Sequence, residues 1–163
     1  MPVATKLTYD IRWVTEVIPT DAGLQLRFRD GSSAFLEAVN PHFAVCRINA
    51  ESRQGRPQPV GVVLDAEGHV LDLNAAHDTP VRHVREIDKD RGHLEVTFWA
   101  YSPACGLPHD HPEFERIHAT LAEAAGTAKL LCVATHTVER VEGEPEQEGF
   151  IPAYPKIMDI RPV

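Results

Sequence analysis

Residues 93–126 read HLEVTFWAYSPACGLPHDHPEFERIHATLAEAAG, and their internal change of period decides the fold class. Leu94, Val96, Phe98 and Ala100 alternate with His93, Glu95, Thr97 and Trp99, the period-two signature of a half-buried strand. From residue 111 the apolar positions switch to helical spacing: Phe114, Ile117, Leu121 and Ala125 fall on one stripe. Pro112 suits a first helical turn, and His111, which precedes it, is disfavoured in helical geometry and reads as the cap. Gly126 supplies the stop. One main helix is therefore predicted over residues 111–125.

Upstream, the chain reads as an almost helix-free antiparallel meander. Leu24, Leu26 and Phe28 alternate with Gln25, Arg27 and Arg29, and Asp30-Gly31 is a hairpin turn because glycine accepts positive φ. Residues 42–48 alternate again and are read as a strand, followed by a polar loop over 51–59 (ESRQGRPQP). Residues 60–64 and 69–73 form a further hairpin, 75–80 a turn-rich connection, and 81–87 with 93–101 a third hairpin. Downstream, residues 129–136 (KLLCVATH) read as a buried strand and 156–160 as a final one.

These elements predict an α+β fold: a mostly antiparallel, twisted sheet or partial barrel, with one main helix in a C-terminal β-α-β unit. The strands at 93–101 and 130–137 are expected to run parallel as neighbours, joined by the helix. That arrangement would bring the loop 102–111 and His136 to one sheet edge, where α/β proteins commonly bind ligands.

At 163 residues the chain is expected to form a single domain, residues 1–163. Its 43% hydrophobic and 25% charged content is that of an ordinary globular protein. A net charge of −8 argues against a nucleic-acid partner, which would need a basic face. No apolar run reaches membrane-span length, and the first residues lack the apolar core of a secretion signal. With three widely spaced cysteines and no disulfide framework, a reduced, cytoplasmic setting is expected.

The candidate chemistry lies in the 102–111 loop. Cys105, just before the helix and among histidines, is a candidate nucleophile, because an imidazolium and a helix N-terminus both lower a thiol pKa. The plainer account is a small cysteine in a tight turn. His109 and His136 are candidate acid–base groups, and Trp99, Tyr101, Ser102 and His111 would line a small-molecule pocket. His109 and His111 flank Asp110 as H-x-H, which on an extended segment could hold a divalent metal; otherwise His111 caps the helix and His109 faces water. Cys46 and Cys132 sit on apolar strands and read as core. No nucleotide-binding glycine motif is present, so no nucleotide cofactor is indicated. Two functions follow: a small-molecule enzyme or binder using the 102–111 pocket, or a non-catalytic interaction domain, as a homodimer for example.

Overall fold

The alternation of Leu24, Leu26 and Phe28 does what the pattern implies: all three are buried, while Arg27 between them is exposed. A computed structural model describes residues 6–87, 92–100, 104–136 and 155–163. In chain order the elements are β1 (Thr8–Arg12), β2 (Val14–Thr20), β3 (Gly23–Phe28), β4 (Ser33–Glu37), α1 (Phe43–Arg53), β5 (Val60–Leu64), β6 (Val70–Ile87), β7 (His93–Phe98), β8 (Cys105–Pro108), α2 (Phe114–Ala124), β9 (Leu130–Thr135) and β10 (Ile157–Pro162). The fold is α+β, a mostly antiparallel twisted sheet with two helices. Among the described residues no helix is long and apolar enough to cross a membrane.

Three expectations are corrected. Residues 42–48 lie at and within α1 rather than in a strand. Their alternation was carried by Ala44 and Ile48, both exposed, whereas the buried positions Cys46 and Ala50 are one helical turn apart. The strands containing residues 93–98 and 130–135 are not partners: β7 pairs with β6 and β8, and β9 with β6 and β10, all antiparallel. The inserted short strand β8 reverses the chain before α2, so the crossover joins β8 to β9. The expected connection at 75–80 is also continuous strand, the middle of the 18-residue β6.

The register reveals a repetition. GLQLRF in β3 and HLEVTF in β7 place Leu24 with Leu94, Leu26 with Val96 and Phe28 with Phe98. Leu24 pairs with Leu36 of β4, and Leu94 with Leu107 of β8. Each hairpin leads into a Pro-x-Phe entry, Asn40-Pro-His-Phe43 and His111-Pro-Glu-Phe114, and an 11-residue helix. A glycine at positive φ follows each, Gly55 at 68° and Gly126 at 73°, and its N–H donates to Val14 and Val81 respectively. Even the irregularities recur. A register shift follows Val14 in the β2–β3 pairing and Val81 in the β6–β7 pairing, and another interrupts both β5–β6 and β9–β10. Isolated parallel bridges join Phe35 to His69 and Gly106 to Lys156 at matching places. The chain is thus one strand–helix arrangement built twice.

Because the first half ends in residues 70–75 and the second begins in residues 76–87, β6 belongs to both. Each half has its own core. Leu26, Leu36 and Leu73 pack with Cys46 and Ala50 of α1; Leu107, Val133 and Ile160 pack with Ile117 and Leu121 of α2. Between them lies a seam of Ile11, Val63, Ala76, Cys132, Ala134 and Met158, with Tyr9 against it. At this seam β5 and β9 approach so closely that residue 61 has to be glycine. A Cβ there would stand 2.1 Å from that of Ala134.

Candidate functional site

Tyr9, Asp72, His111 and His136 gather at the seam. His136 directly follows β9, where its own N–H donates to Lys156 O at 2.9 Å and Asn74 Nδ2 holds the preceding carbonyl of Thr135 at 2.9 Å. Its Nδ1 lies 2.9 Å from Oδ2 of Asp72, a β6 carboxylate of the other half whose Oδ1 accepts the Leu73 N–H at 2.9 Å. A carboxylate only accepts, so Nδ1 donates to it and Nε2 is the ring nitrogen left for another partner. Nε2 has no hydrogen bond to a described residue, and the ring keeps 24% of its surface exposed.

Tyr9 on β1 stands edge-on to His136, with ring centroids 6.3 Å apart, and packs at 4.5 Å against His111. Burial pushes the Tyr9 phenol up, and the negative charges of Asp110 and Asp72 push the same way. The phenol therefore stays protonated, a donor, at neutral pH. His111 is 8% exposed and committed at both nitrogens: Nε2 donates to Met158 O at 2.8 Å and Nδ1 accepts the Glu113 N–H at 2.9 Å. Burial holds its pKa below the usual histidine value, and the neutral ring is the form these two bonds require.

The other candidates lie apart from this cluster. Cys105 is 2% exposed, pairs with Val96 in β8, and packs in the α2 core rather than beside the helix start. His109 turns outward, with Nε2 3.4 Å from Glu86 and its ring 4.9 Å from Phe114. The segment 109–110 is a turn, so the two imidazoles of the H-x-H are not presented to one cation. Trp99 is 63% exposed with the Arg82 guanidinium 4.9 Å over its ring. Tyr101 and Ser102 lie outside the described residues. Among the described residues Asp65, Glu67 and His69 bring metal-donor atoms within 4.8 Å of one another. There, however, Asp65 caps the turn by accepting the Glu67 and His69 N–H groups, and His69 Nδ1 already faces Glu37 at 3.1 Å.

An open depression of about 410 Å³ flanks the seam site, lined by His109, His111 and residues 112–116. Arg116 of this lining bonds the buried Asp159, the counterpart of Asp72. The halves share a backbone plan and differ in which cation meets each buried carboxylate.

Tyr9 and Asp72 were not singled out by the sequence. The signal available was a lone carboxylate inside the apolar run VLDL, which marks a group needing a partner without naming one. No family model, curated protein or solved structure matches the chain.

Proposed function

We propose that the protein is a small-molecule enzyme that moves protons at the seam beside His111, with His136 Nε2 as the base. The observation that carries this reading is the His136–Asp72 bond, which fixes the tautomer and leaves Nε2 open to a ligand. Asp72 is a positioning residue. Tyr9, held protonated, would donate to an oxygen on which negative charge develops, so the favoured substrate is a small carbonyl compound bearing an acidic C–H. His111 forms part of the wall. Cys105 and His109 act in neither step.

The reading is tested by deuterium exchange into a panel of small aldehydes, ketones and keto acids in heavy water, followed by NMR. Wild type should exchange at least one of them above the buffer rate, and His136→Gln should lose about 10²–10⁴ of that enhancement. Exchange absent throughout, or unchanged in the variant, overturns the enzyme reading.

A second reading, a non-catalytic docking domain, is favoured by α1. It turns Val45 and Ile48 to solvent, near Val39 in sequence, which is 82% exposed. Absent exchange together with a mass that rises with concentration would favour that reading.

A further inference from the structure

A second feature lies on the opposite face of β1. Tyr9 and Ile11 point to the seam; Asp10 and Arg12 alternate with them and face the other way. There, Arg12, Trp13, Arg29, Asp30 and Arg161 line a concavity of about 170 Å³. Three guanidinium groups share it in a chain whose net charge is −8. The Trp13 indole is fixed by donating to Pro57 O at 2.8 Å, and two arginines stack on it, Arg29 at 4.1 Å and Arg161 at 5.3 Å.

The charges here are only partly paired. Arg12 is tied to Asp10 at 2.7 Å and to Ser32 Oγ at 3.2 Å. Asp30 spends Oδ1 on the Ser32 N–H and hydroxyl. Arg161 reaches only a backbone carbonyl, that of Ile11 at 3.3 Å, and the Arg29 guanidinium stacks without an ion pair among the described residues. With three arginines against Asp10 and Asp30, the cavity keeps a net positive charge, and Arg29 and the remaining N–H groups of Arg161 can receive oxygens.

The repeat supplies an independent argument. At the positions of Arg12, Trp13 and Arg29 the second half has Thr79, Pro80 and Trp99, and at that of Arg161 the first half has Asn74. The shared architecture therefore does not require these cations. Each cation stands in one half and has no cationic counterpart in the other.

We propose that this pocket binds the oxyanion head of a small molecule, a phosphate or a carboxylate, against Arg29 and Arg161 with Trp13 as the wall. Guanidinium forks match both head groups through paired charge-assisted hydrogen bonds. The volume admits a head group and a short stem, not a nucleotide. This site is independent of the seam and survives if His136 proves inert.

The test uses the full chain carrying Trp99→Phe, so that fluorescence and the indole N–H resonance report Trp13 alone. Inorganic phosphate and acetate are titrated separately at ionic strength held constant with chloride. Saturable perturbation by either anion is expected, and which of them saturates names the head group. Arg29→Gln and Arg161→Gln should each weaken it about tenfold, the loss of one charge-assisted contact. Arg29→Gln should leave the fold intact, because among the described residues its guanidinium only stacks on Trp13. Saturation by neither anion, or unchanged affinity in a folded Arg29→Gln, overturns the proposal.

Discussion

His111 and Asn40 occupy the same place in the two halves and solve the same problem with different side chains. Asn40 donates from Nδ2 to Val70 O and accepts the His42 N–H at Oδ1, both at 2.8 Å; His111 donates to Met158 O and accepts the Glu113 N–H. Each locks the turn entering its helix to the last hairpin of its half. Met158 sits at a register shift of β10 against β9, so its carbonyl depends on a side chain rather than on the ladder. His111→Ala should thus destabilise the protein by about 1–3 kcal/mol, the cost of orphaning a buried donor and acceptor. His111→Asn should lose less, because asparagine carries both groups in the geometry used at position 40. Urea melts of the two variants decide the matter: equal losses would mean that packing against Tyr9, not hydrogen bonding, is what His111 supplies.

At the scale of elements, the repeat is visible where strands alternate and hidden where helices pack. β3 and β7 are near copies because each buries every second side chain. α1 and α2, FAVCRINAESR and FERIHATLAEA, share little beyond the first phenylalanine, since α1 buries only Cys46 and Ala50 while α2 buries Ile117, Leu121 and Ala124. That thin apolar face, with exposed β-branched Val45 and Ile48, is why α1 read as strand. The seam site was half legible. His136 follows from its place at a strand end, but Asp72 lies 64 residues away and no local pattern connects them. Across the seam, Gly61 leaves no room for a Cβ against Ala134. Gly61→Ala should cost about 1–3 kcal/mol or more from overpacking, and Ala134→Gly added to it should recover part of that loss. Thermal melts that show simple additivity would place the strain elsewhere.

For the whole molecule, pH acts through buried histidines. Burial holds His111 and His93 below the ordinary value of 6.5, so below that pH the unfolded chain takes protons that the folded one refuses. Their contribution is complete above 6.5 and is lost as pH falls from there toward their folded values, by up to about 1.4 kcal/mol per pH unit for each. Urea midpoints should be lower at about pH 5.5 than at about pH 7.5. The difference should shrink in His111→Asn. Asp159, raised by burial, acts in the opposite sense, losing stability as pH rises from the carboxylate range. An unchanged difference in His111→Asn would therefore assign the acid response to other groups.

Asp72 and Tyr9 come from one half of the repeat, His136 and His111 from the other, and β6 passes between the halves without a loop. The proposed base consequently meets its carboxylate only while the halves are docked. Parting them by even a few ångströms would free the imidazole to rotate and take either tautomer. A ligand seated on both halves would, by mass action, act as a clasp: its binding energy opposes separation, so occupancy and docking rise and fall together.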